Sequence, residues 1–116
     1  MEFQCKVWLK KDGKVVFGLG RAQLLEAVER TGSLAAAARE LGMSYRAAWG
    51  RLKASEERLG MKLLERAPHG RRPMRPTPAA KVLTRRFNEL MARLKQEGQW
   101  AMQRLEEELA ASDGGE

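Results

Sequence analysis

Between Ser33 and Leu59 the chain reads SLAAAARELGMSYRAAWGRLKASEERL. This stretch spells two helices broken by a tight turn. The run Ala35, Ala36, Ala37 and Ala38 lets one helix approach another closely. Leu41, Gly42 and Met43 follow as an apolar stop, a residue tolerant of left-handed backbone angles and an apolar anchor. Ser44 is placed to cap the second helix by accepting from a free backbone N–H near its start. A short helix, a glycine turn and a basic second helix together predict a helix-turn-helix, whose second helix enters the major groove of DNA.

Charge is distributed to match. Of the net +7, residues 44–76 hold nine Lys and Arg against three Asp and Glu, whereas residues 77–116 hold six against seven. A concentrated positive patch favours a polyanionic partner. Cys5 is the only cysteine, so no intrachain disulfide forms, and a cytoplasmic protein is expected. No apolar run approaches the roughly 18 residues of a membrane span, and no membrane partner is expected.

The flanking segments complete an architecture that is mainly α with a small β component. Residues 5–17 alternate apolar and polar positions around Asp12-Gly13, a two-residue hairpin turn, and Gly18 and Gly20 end this hairpin. A helix is expected over 21–31, stopped by Thr31-Gly32, with Ser33 capping the next. After Gly60, Leu63-Leu64 and residues 73–76 are expected as two short strands around the loop Pro68-His69-Gly70-Arg71-Arg72. Such a hairpin after the reading helix is the wing of a winged helix-turn-helix. Thr77-Pro78 starts a long helix to Ala111, with threonine as cap and proline at the first position. Leu83, Phe87, Leu90, Leu94, Ala101 and Leu105 recur on it mostly at steps of three, four or seven, an apolar stripe suited to dimerisation. The expected organisation is a DNA-binding domain over 1–76, a dimerisation helix over 77–111 and a disordered tail over 112–116.

Candidate DNA contacts follow from residue type. Ser44, Tyr45, Arg46, Ala47 and Arg51 share the outer face or the N-terminal tip of the second helix. Arginine takes guanine in a bidentate fork, and alanine can meet a thymine methyl. Arg46 is the candidate base reader, while Trp49 is expected in the core or an interface. Lys53 and Arg58 are read as phosphate contacts or solvated charges, and Glu56-Glu57 as solvent-facing. His69, Arg71, Arg72 and Arg75 are the wing's candidate phosphate or minor-groove contacts. No catalytic constellation is spelled: the sole His69 has no metal-ligand pattern around it, and Gly18-Leu19-Gly20 lacks the rest of a phosphate loop. No enzyme, metal or cofactor is expected.

The segments WLKKDGKVVFGLGRAQLLEAVERTGSL, AAARELGMSYRAAW, RLG…LLER and the TP before the last helix resemble the DNA-binding part of ModE-type molybdate-responsive regulators. More distantly, they are similar to the N-terminal winged helix of LysR-type regulators. The resemblance covers roughly residues 6–95. It implies a homodimer on a two-fold double-stranded DNA operator, joined partly through the long helix, with DNA contact through Ser44, Tyr45, Arg46 and the wing. Regulators of this type bind oxyanion in a C-terminal β-rich domain. No strand pattern follows Thr77 here, so molybdate or tungstate sensing is not expected of this chain alone. An interaction module using the long helix as a docking element is the competing reading, opposed by the charge at 44–76. An oxyanion-binding storage protein is a third, and it would need a dedicated site.

Overall fold

In the computed structural model, residues 1–68 and 74–114 are described. Strand β1 (Trp8–Lys11) pairs antiparallel with β2 (Lys14–Gly18). Asp12 and Gly13 turn the chain with φ of 53° and 78°, the doubly left-handed turn for which Asp-Gly is suited. Three helices follow: α1 (Leu19–Thr31), α2 (Leu34–Glu40) and α3 (Tyr45–Leu59). Strands β3 (Leu64–Arg66) and β4 (Met74–Pro76) form a second antiparallel pair, and α4 (Pro78–Gly114) ends the chain.

Local chemistry places the helix ends. The Ser33 hydroxyl accepts from Ala36 N at 3.1 Å, Ser44 from Ala47 N at 3.1 Å and Thr77 from Ala80 N at 3.1 Å. Gly32 and Gly60 close α1 and α3 in the left-handed conformation. The strands shift by one to three residues from the sequence expectation, and two helix boundaries differ from it. Helix α1 begins at Leu19, so Gly20 lies in its first turn instead of ending the hairpin. Helix α4 continues to Gly114, so residues 112–114 of the expected disordered tail are helical.

Packing divides the chain into two compact units, Val7–Asn88 and Met1–Lys6 with Glu89–Glu116. The first three turns of α4 thus belong with the helix-turn-helix, beyond the boundary expected at residue 76. In the larger unit six alanines, Ala22, Ala27, Ala37, Ala38, Ala48 and Ala80, are buried where the elements approach one another. Leu24, Leu25, Val28, Leu52 and Leu63 fill between them. Phe87 is also here. Its ring meets Phe17 edge-on, with centroids 5.5 Å apart and planes at 74°. This corrects its assignment to the dimerisation stripe, because a buried ring packed on its own chain presents nothing to a partner.

In the smaller unit Phe3 packs on the backbone of α4 at Gly98, where any Cβ would overlap the ring. The Met1 amine pairs with Glu106 at 2.8 Å, and Arg104 lies 4.9 Å over the Trp100 ring. Leu90, Trp100, Leu105 and Leu109 are exposed, while Leu94 is half-buried.

Candidate nucleic-acid interface

Helix α3 buries Ala48, Leu52 and Ser55, a stripe at three- and four-residue spacing. That stripe fixes which residues face out. Ser44, Tyr45, Arg46 and Arg51 are exposed and Ala47 is half-buried, so the five expected contacts of the reading helix are at its N-terminal end and outer surface. Arg46 has no ion-pair partner among the described residues, which leaves its guanidinium fork free. Lys53, half-buried, follows Tyr45 and Trp49 along one flank.

Of the two places expected for Trp49, the core or an interface, the core is not where it lies. Its side chain is 50% exposed and Tyr45 is 55% exposed. With Lys53, Lys62, Leu64 and Met74 they line a groove of about 250 Å³ between α3 and the β3–β4 pair. Helical periodicity put Trp49 beside the buried stripe; the groove at that flank turns it outward.

The base of the wing is anchored by a residue read as solvent-facing. Glu56 keeps a side-chain exposure of only 12%. Its carboxylate accepts from Leu63 N at 2.8 Å and from Leu64 N at 3.3 Å, holding the start of β3 on α3. On the other strand, Met74 N donates to the Gly32 carbonyl at 3.1 Å. Thr77 joins the two, its hydroxyl donating to Lys62 O at 2.8 Å and its N–H to Leu63 O at 3.0 Å. Arg75 is exposed on β4, but Glu65 across the ladder holds it at 2.8 Å. His69, Arg71 and Arg72 lie outside the described residues.

Two basic residues were missed or undervalued. Arg21 of α1 donates from Nε to the Arg51 carbonyl at 3.3 Å, and Arg58 donates to the Val15 carbonyl at 2.6 Å. Burial, then the charges of Arg58 and Arg51, lower the Arg21 pKa from its ordinary value. Among the described residues no group of three or more His, Cys, Asp or Glu could hold a metal ion. Among the described residues no helix is long and apolar enough to cross a membrane.

The family model for bacterial regulatory helix-turn-helix proteins of the lysR family matches residues 19–81, from the start of α1 into α4. The chain belongs to this family. Its fold is that of the LysR-type DNA-binding domain, a family and fold of transcriptional regulators and not of enzymes. The BenM DBD in complex with benA site 1 DNA is similar over 75% of this chain and 98% of that one, at 25% identity and a TM-score of 0.57. The CbnR DBD–DNA complex is similar over 72% and 95%, at 30% identity and a TM-score of 0.56. Among curated relatives, the molybdenum-pterin-binding proteins MopB and MopA of Rhodobacter capsulatus are 46% identical over 54 residues and 41% identical over 63 residues. These matches take in 47% and 54% of this chain, but only 20% and 24% of the relatives. The LysR-type match accounts for the reading helix, its capped partner and the wing strands as one unit.

Proposed function

We propose that this LysR-type domain reads a two-fold operator as a homodimer and serves a molybdenum-linked regulator of the ModE type. The observation that carries the reading is the N-terminal end of α3, capped by Ser44 and presenting Tyr45 and an Arg46 with no ion-pair partner among the described residues. The N-terminal end of a reading helix is the part that meets base edges. Arg46 supplies the bidentate contact, Tyr45 and Ser44 reach phosphates or base edges, and Ala47 meets a thymine methyl. Arg51, Lys53 and the wing residues His69, Arg71 and Arg72 neutralise the flanking backbone, whereas Arg75 reaches a phosphate only by giving up its pair with Glu65. The two neighbours solved on DNA support this placement.

Dimerisation is assigned to the apolar positions of α4 beyond Asn88, with exposed Leu90, Ala101 and Leu105 and half-buried Leu94 at its centre. The names of MopB and MopA support the molybdenum link. Oxyanion sensing is assigned to none of these 116 residues.

Selection of bound fragments from random double-stranded DNA tests the proposal, followed by titration of the recovered site with salt. A two-fold motif whose affinity falls steeply with salt is expected. Recovery of no motif, or affinity indifferent to salt, overturns it.

A further inference from the structure

Three guanidinium groups are held together where the first turn of α1 meets the flank of α3. Arg21, third residue of α1, is hydrogen-bonded to the backbone of Arg51. Arg58, two turns further along α3, holds the Val15 carbonyl, and the Arg51 Nη1 lies 4.0 Å from Met43 Sδ. Among the described residues the acceptors of these three side chains are two carbonyls and a thioether. Among the described residues no carboxylate pairs with any of them, whereas Arg30 and Arg75 are matched with Glu40 and Glu65.

This arrangement is unfavourable in the isolated protein. Burial first, and then the nearby charges of Arg58 and Arg51, lower the Arg21 pKa, and the first turn of α1 carries no acidic residue. A cation in a helix's first turn also faces the positive end of the helix dipole. An anion relieves all of this at once, and planar guanidiniums match the geometry of phosphate oxygens.

The position of the cluster names the anion. At 100° per residue, Arg51 and Arg58 fall on one flank of α3, and Tyr45, Trp49 and Lys53 on the opposite flank, facing the groove beside β3 and β4. Arg46 and Gly50 lie between. A helix laid in the major groove has a sugar-phosphate wall on each side. The wing side serves one wall, and the arginine cluster lies toward the other.

We propose that Arg21, Arg51 and Arg58 form a second phosphate site that grips the DNA backbone on the side of α3 away from the wing. It rests on the DNA-reading function proposed above and adds a contact outside the helix-turn-helix itself, from α1.

The test is the salt dependence of affinity for duplex DNA, with Arg21→Gln, Arg21→Lys and Arg51→Gln compared with the unaltered chain. Each phosphate contact adds about 0.9 to the slope of log K against log salt. Both glutamine variants should therefore flatten the slope by about 0.9 per bound protomer. Between 50 and 200 mM salt, each would lose about 3.5-fold less affinity per protomer than the unaltered chain. Arg21→Lys should keep most of the slope, and the ratio of operator to random-DNA affinity should hardly move. Unchanged slopes in both glutamine variants overturn the site. So does an equal loss in Arg21→Lys and Arg21→Gln, which would make the role steric. Failure of the unaltered chain to bind DNA would instead sink the functional reading first, and this site with it.

Discussion

Replacing Glu56 by alanine removes the group that fastens β3 to α3, and the size of the effect follows from the geometry. The carboxylate accepts two backbone N–H groups, from Leu63 at 2.8 Å and Leu64 at 3.3 Å, and Leu63 is fully buried. A hydrogen bond to a charged group contributes about 1.5–3 kcal/mol, and an orphaned buried N–H costs a similar amount. The Leu63 bond is short and made at a buried residue, so it takes about 2 kcal/mol of that range. The longer Leu64 bond, to a half-buried residue, adds under about 1 kcal/mol. Lys62 contributes little, because it is 71% exposed and its ammonium lies 3.9 Å away. Glu56→Ala should therefore destabilise by about 2–3 kcal/mol, lowering the melting temperature by on the order of 10–20 °C for a body of this size. Glu56→Gln keeps an acceptor and should lose about 1 kcal/mol, while Glu57→Ala, on the exposed face, should stay within about 0.5 kcal/mol. Urea unfolding followed by circular dichroism measures all three. If Glu56→Ala melts with Glu57→Ala, the carboxylate is not an anchor; if Gln is as harmful as Ala, charge and not the acceptor oxygen sets the effect.

Four other outcomes are expected. Arg46→Ala should lower the preference for operator over random DNA by about 1–3 kcal/mol, read by competitive binding; an unchanged ratio would remove Arg46 from base reading. Phe87→Ala should destabilise by about 3–5 kcal/mol in denaturant, and a loss below about 1 kcal/mol would contradict its place in the core. Gly98→Ala should displace the Phe3 ring while adding up to about 1 kcal/mol of helix propensity; ring contacts to α4 that survive in NMR spectra would count against the packing described. Leu94→Glu with Leu105→Glu should convert a dimer to monomer in sedimentation, and an unaltered chain that is already monomeric at micromolar concentration would refute the dimer.

Most helix ends were legible because each depends on neighbours in sequence. Ser33, Ser44 and Thr77 cap the helices they precede, and Asp12-Gly13 makes the turn its composition demands. Reading failed where a distant segment decides. Phe87 has helical spacing with Leu83 and Leu90, and only the approach of Phe17, 70 residues earlier, takes it out of the stripe. Glu56 looks like Glu57 until the chain after Gly60 returns its N–H groups to it. Gly20 looked like a terminator because glycine is a poor helix former, yet it occupies an exposed first turn where that penalty is small. On the reading helix, periodicity identified Ser44, Tyr45, Arg46, Ala47 and Arg51 as outward-facing or terminal. It gave no sign of Arg21, since that residue reaches α3 from another helix.

The buried alanines of the larger unit have a consequence for how its reading surface works. Alanine has no rotamers, so Ala22, Ala27, Ala37, Ala38 and Ala48 add no side-chain torsions to the frame, and the leucines and phenylalanines between them are already packed before DNA arrives. Docking on a duplex therefore draws its ordering entropy from the long side chains at the surface, Arg46, Arg51, Lys53 and their neighbours, and hardly from the scaffold beneath them. Discrimination between sequences then depends on how those side chains settle against a stiff support.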